Sequence, residues 1–158
     1  MVGVCASACG HAPAAEATDG GVESDDSDIA RGKAFMHSRA CPDCHQSPNA
    51  SDGALSGQTT PLPFTKQYPA NLTPDPETGL GDWLDVEIAR AIRSGYAPIH
   101  RKLCDRMQHF TTMSDDEVRA IIAYLRSLPP VRRVIPASTC GDGGVGSGDA
   151  DVGSSDGG

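Results

Sequence analysis

Cys41-Pro42-Asp43-Cys44-His45 fits one covalent chemistry better than any other. Two thiols three residues apart on one helical turn can add to the two vinyl groups of a single porphyrin, and the adjoining imidazole then lies against the iron. A zinc site would need a second Cys or Cys/His pair at short spacing, whereas Cys104 and Cys140 stand singly and far apart. A thioredoxin-type redox pair would follow a strand in an α/β sheet, and no run of alternating β-branched residues is present here. Two buried free cysteines beside an incidental histidine are the remaining alternative. Covalent haem, held through Cys41 and Cys44 with His45 as the proximal iron ligand, is the expectation.

Outward from this motif the chain divides by composition. Residues 1–28 and 137–158 contain ten of the 21 acids and no Lys or Arg, leaving eleven acids against 13 bases between them. The formal net charge of -8 therefore comes from the two ends. Residues 11–27 and 137–158 are poor in large apolar side chains and cannot bury enough surface to offset their ordering entropy, so both read as disordered segments. The folded domain is expected at 28–136. Its small basic excess and lack of an aromatic stacking series exclude a nucleic-acid-binding surface.

Residues 1–10, with Cys5 and Cys9 among small side chains, resemble the end of a bacterial lipoprotein signal without its basic and apolar parts. This implies a start further upstream and lipidation at Cys9, or less readily at Cys5. An ordinary small-residue signal end or an unstructured terminus is the alternative. No stretch approaches the roughly 18 apolar residues of a membrane span, so attachment would be through lipid. Thioether haem attachment of the bacterial kind takes place outside the cytoplasm, where disulfides also persist. Localisation is accordingly expected in the periplasm or on the outer surface. In that setting Cys104 and Cys140 form a candidate disulfide, with two separate thiols as the alternative.

Three helices are expected. The first, 28–40, begins at Asp28 as N-cap and delivers the haem motif. The second, 84–94, turns Val86, Ile88, Ala89 and Ile92 inward and stops at Gly95. The third opens on Ser114-Asp115-Asp116-Glu117, a capping box, and carries Val118, Ile121, Ile122 and Leu125 on one stripe before Pro129-Pro130 ends it. It is expected to cross the first helix, with Gly32 and Phe35 against Tyr124 and Leu125. Residues 49–81 are rich in Pro, Gly, Ser and Thr, a long loop suited to wrapping around a cofactor.

These elements, in this order, resemble class I cytochrome c. Asn71-Leu-Thr-Pro-Asp75, Glu77-Thr-Gly-Leu-Gly-Asp-Trp83, Ile88-Ala-Arg-Ala-Ile-Arg-Ser-Gly95, Met113-Ser-Asp-Asp-Glu-Val118 and Ala123-Tyr-Leu-Arg-Ser-Leu-Pro-Pro-Val131 are similar to cytochrome c domains of bacterial sugar-acid and alcohol dehydrogenase complexes. The resemblance covers residues 28–136. It implies an all-α cytochrome c fold, with three main helices and long loops wrapped around one covalent haem c. It places the distal iron ligand at Met107, with Met113, His109 and His100 as rivals. It suggests Asn71, Thr73 and Trp83 as contacts to the haem propionates or wall, and Pro98 as a brace before Met107. Gln108 departs from the family pattern, which has Pro after this methionine.

The implied function is electron transfer by a haem with His45 and Met107 as axial ligands, not catalysis. Arg101, Lys102 and Arg106 near the distal side would steer an acidic redox partner. Partners of this kind are a dehydrogenase or a terminal oxidase. Two alternatives stay open: a haem enzyme or gas or redox sensor with an open distal position, and the electron-outlet subunit of a membrane-associated dehydrogenase complex.

Overall fold

The computed structural model describes residues 26–49, 54–140 and 145–146. It contains four helices, α1 (Asp26–Ser38), α2 (Cys41–His45), α3 (Asp85–Ser94) and α4 (Asp115–Ser127), a 3-10 turn at Pro98–His100, and two short strands, β1 (Ser138–Thr139) and β2 (Val145–Gly146). The fold is all-α, and the paired strands β1 and β2 are a minor antiparallel addition.

α1 starts two residues before the expected Asp28. Asp28 lies within its first turn, where its carboxylate pairs with Arg31 at 2.7 Å rather than capping the end. The helix also ends earlier than the expected residue 40. Ala40 takes a left-handed backbone (φ 57°), and the haem motif then forms its own short helix with a proline in its first turn. Pro42 accounts for the new start: in a helix continuing from α1 it would offer no N–H to the Ser38 carbonyl and its ring would clash there, whereas in the first turn of α2 that N–H is not needed.

α3 has Leu84 at its N-cap, whose N–H is taken by the Glu87 carboxylate at 2.8 Å. It closes at Gly95 in the left-handed region (φ 71°), as the sequence implies. α4 carries the expected capping box: Glu117 N–H donates to Ser114 Oγ at 3.2 Å, and Ser114 N–H donates to Glu117 Oε2 at 3.0 Å. Two orphan amides are thereby satisfied at a fixed point in the chain.

α1 crosses α4 at Gly32. A Cβ built there would overlap the Ala120 carbonyl and touch the Tyr124 Cβ, so the two helix backbones meet without a side chain between them. Arg39 at the far end of α1 reaches Glu117 at 2.8 Å and holds the crossing from its rim. Beneath it lies one apolar core containing Met36, Ile88, Met113, Val118, Ile121 and Leu125. Arg126 of α4 ties down the start of α3 by donating to the carbonyls of Leu80 (2.7 Å) and Trp83 and to Asp85.

The chain stays in the fold beyond the expected limit at 136. Thr139 N–H donates to the Lys66 carbonyl at 2.8 Å, Tyr68 N–H donates to Ser138 Oγ at 2.7 Å, and Cys140 is disulfide-bonded to Cys104. Residues 138–140 are thus attached to two separate parts of the domain. The leader, with Cys5 and Cys9, and residues 147–158 lie outside the described residues. Among the described residues no helix is long and apolar enough to cross a membrane.

The tight crossing generates a test. Gly32→Ala should lower the unfolding free energy by about 1–3 kcal/mol through overpacking, while Lys33→Ala on the exposed side should stay within about 0.5 kcal/mol. Chemical denaturation of the purified protein measures both.

Candidate haem-binding site

α2 faces a cavity of about 400 Å³ in the middle of the domain, bounded by α1, α3, α4, the loop 62–80 and the loop carrying Met107. That volume is within the roughly 300–1,000 Å³ of small-molecule and cofactor sites. The lining is mostly apolar and is shared with the core: Met36, Ile88, Met113, Ile121 and Leu125 belong to both.

Cys41, Cys44 and His45 all line this cavity. Neither thiol is in a disulfide. Burial raises Cys41 above the usual thiol value, against a backbone hydrogen bond and the Arg39 guanidinium, which favour the thiolate. The thiol is therefore kept protonated. His45 Nδ1 lies 2.9 Å from the Ala70 carbonyl, which can only accept, so Nδ1 must carry the proton and Nε2 keeps its lone pair. Burial pushes the imidazole below its ordinary pKa, with the Ala70 bond opposing. A neutral ring with one nitrogen anchored to a carbonyl is the usual condition of a metal-ligating histidine.

Met107 lines the same cavity, half-buried, on the loop that follows the 3-10 turn. Met113 also reaches it, but as a buried core residue. His109 instead stands against Gly95, where a Cβ would meet its ring, and borders a separate shallow depression. His100 is not among the lining residues and has a positive φ of 58° in the 3-10 turn. Pro98 begins that turn, which is closed by the Ala97 N–H to the Arg101 carbonyl at 2.8 Å and leads into the Met107 loop.

Of the three residues expected at the haem wall, Trp83 and Asn71 line the cavity and Thr73 does not. The Asn71 carboxamide is fully engaged inside the protein. Its nitrogen donates to the Val131 carbonyl (2.7 Å) and Thr78 (3.2 Å), and its oxygen accepts from Thr73 N–H (3.0 Å) and Thr73 Oγ1 (2.8 Å). Thr73, wholly buried behind it, accepts the Val131 N–H at 3.1 Å. The pair braces the long loop against the segment after α4, with no polar atom left over for a ligand. Arg106 and Gln108 flank Met107 on the cavity rim, whereas Lys102 pairs with Asp105 at 3.3 Å.

Two contributors carried no motif. One is the Ala70 carbonyl, a backbone acceptor that any residue supplies. The other is Gln67, which lines the cavity and has a buried Oε1 with no hydrogen-bond partner among the described residues. A polar end left unsatisfied at an apolar cavity fits a group that arrives with polar substituents. With two thiols, a neutral imidazole and a thioether on one apolar cavity, these residues fit a covalent haem.

Residues 29–129 match the family model described as cytochrome c. The chain belongs to the cytochrome c family. A nicotinate dehydrogenase subunit of Pseudomonas putida is 35% identical over 114 residues, 70% of this chain and 9% of that protein. The cytochrome c subunit of the quinone alcohol dehydrogenase of Gluconobacter oxydans is 29% identical, over 69% of this chain and 23% of the subunit. The gluconate 2-dehydrogenase cytochrome c subunit of Pantoea cypripedii is 28% identical, over 69% of this chain and 25% of the subunit. The chain thus matches a quarter or less of the length of these relatives. Membership makes this a haem c electron-transfer domain.

Thr78, which lines the cavity, is held from behind by Asp75, whose carboxylate accepts from the Thr78 hydroxyl and N–H, each at 2.7 Å. The hydroxyl bond is the main reason its pKa lies below the ordinary carboxylate value. A pKa lowered on folding adds stability above the unfolded value near 4, and the gain is lost as pH falls through the folded value. Thermal melts from about pH 5 downward should show this loss in the native protein and a shallower pH dependence in Asp75→Asn.

Proposed function

We propose that this domain carries one haem c, bound through Cys41 and Cys44 with His45 and Met107 as axial ligands. It passes single electrons from a dehydrogenase to a further acceptor in the bacterial cell envelope. The observation that carries the reading is the convergence of both thiols, the anchored imidazole and the Met107 thioether on one apolar cavity.

Each residue type has a separate task. The Cys41 and Cys44 thiols would hold the haem, each as one thioether made by adding S–H across a vinyl double bond with no net change of oxidation state. His45 offers Nε2, held in register by Ala70. The soft thioether of Met107 favours the reduced metal and raises the potential relative to a second histidine. Leu72, Ile88, Ile121 and Leu125 exclude water from the cavity, which limits solvent reorganisation when charge changes. Bound there, haem iron supplies a one-electron couple between Fe(III) and Fe(II).

The dehydrogenase partner is supported by the relatives, whose names make them subunits of dehydrogenases. The envelope location is supported by thioether chemistry and by the Cys104–Cys140 disulfide, which needs an oxidising compartment. Lipidation at Cys9 would hold the domain at a membrane surface beside such a partner.

Absorption spectroscopy of the oxidised and reduced holoprotein tests the ligation. The oxidised protein should be low-spin with a methionine–iron charge-transfer band, and Met107→Ala should lose the band and take up carbon monoxide when reduced. A spectrum unchanged by Met107→Ala would reject Met107 as ligand. Cys41→Ala with Cys44→Ala should release the cofactor on denaturation, and its retention would reject thioether attachment.

A further inference from the structure

The loop bearing Met107 departs from the backbone ladders at Leu103, whose N–H donates to the Gly95 carbonyl at 2.8 Å. It rejoins at Phe110, whose N–H donates to the Ile92 carbonyl at 3.0 Å. Between these points the apex is exposed at Asp105, Arg106, Gln108 and His109 and carries no proline to stiffen it. One backbone bond, from the Met107 N–H to the Cys104 carbonyl at 2.9 Å, closes a turn that places the thioether. The turn therefore takes its position from Cys104.

Cys104 is buried, lines the cavity, and is bonded to Cys140, Cα to Cα 5.1 Å across 36 residues of sequence. Cys140 in turn follows directly on β1. There Thr139 bonds to Lys66, and Ser138, itself a lining residue, bonds to Tyr68. Two residues beyond Tyr68 is Ala70, which holds His45. A continuous strap runs from Met107 through Cys104, Cys140, Ser138 and Tyr68 to the carbonyl that orients the proximal ligand. It links the two walls of the cavity by a route that bypasses the haem.

Resting on the His45 and Met107 ligation proposed above, we infer that the Cys104–Cys140 disulfide is a positioning element for the distal ligand. It limits how far Met107 can withdraw from the wall that carries His45, the task that a proline after Met107 would otherwise share. Without it the Met107 turn moves with the loop, and the thioether leaves the iron more often. The distal position then opens to an external ligand although the haem remains covalently bound.

The test compares holoproteins: native, Met107→Ala, and the double variant Cys104→Ala with Cys140→Ala. The double variant should keep its haem through Cys41 and Cys44 and keep its helical circular dichroism, yet weaken the methionine–iron band. Carbon monoxide binding to its reduced form should quicken about tenfold if Met107 is off the iron ten times more often. Full retention of the band with the native binding rate would overturn the inference. Should the double variant not accumulate, Ser138→Ala loosens the other end of the strap with the disulfide intact. It should also quicken carbon monoxide binding, and a native rate there would overturn the inference equally. A native protein lacking the band, and indifferent to Met107→Ala, would defeat the ligation reading itself. A band lost in Met107→Ala but kept in the double variant defeats the strap alone.

Discussion

The hydrogen bond from His45 Nδ1 to the Ala70 carbonyl is the constraint around which the domain is arranged. It fixes the tautomer of the imidazole, and so leaves Nε2 as the donor to a metal. It also fastens the long loop to α2, so the wall of the cavity and the proximal ligand cannot be displaced independently. α2 is in turn placed by α1, and α1 by its contact with α4 at Gly32, where the backbones approach without a side chain between them. The position of one imidazole thus depends on a helix crossing remote in sequence from it.

Core and site are the same object here. Met36, Ile88, Met113, Ile121 and Leu125 serve the hydrophobic core and also face the cavity, so a ligand filling the cavity completes the packing of the helices. Those contacts exist only in the folded state, so burying the ligand's apolar surface there stabilises it. A domain of this size with few aromatic residues gains much from such a body at its centre. The three relatives named above are longer proteins, of which this chain matches a quarter or less.

What could be read in the sequence was whatever is coded by local spacing. The Cys41 to His45 motif, the Ser114 and Glu117 box and the stop at Gly95 each depend on residues within a turn of one another, and each appears where expected. α1 ends at Ser38, two residues short of the expected Ala40, because the apolar pattern alone does not register how Pro42 interrupts the helix ahead of it. Asn71 and Thr73 were expected to face a ligand, yet their polar groups are spent on Val131 and Thr78, partners that no local pattern discloses. The extension of the fold to Cys140 was hidden for the same reason: single hydrogen bonds to Lys66 and Tyr68 hold a segment whose composition resembles that of a tail. Gln67 had no signature, and only its unsatisfied oxygen at the cavity distinguishes it.

The central claim is that one haem lies between His45 and the thioether of Met107. The chain has four methionines, and Met36, Met107 and Met113 all line the cavity. A thioether methyl held over the face of a porphyrin is strongly shielded by the ring current. Proton and carbon NMR of the reduced holoprotein, labelled at the methionine methyl groups, therefore separates them. One methyl resonance should lie far upfield of the rest and disappear on Met107→Leu. Four methyls in the ordinary range, or an upfield resonance that survives Met107→Leu and vanishes on Met113→Leu, would contradict the claim.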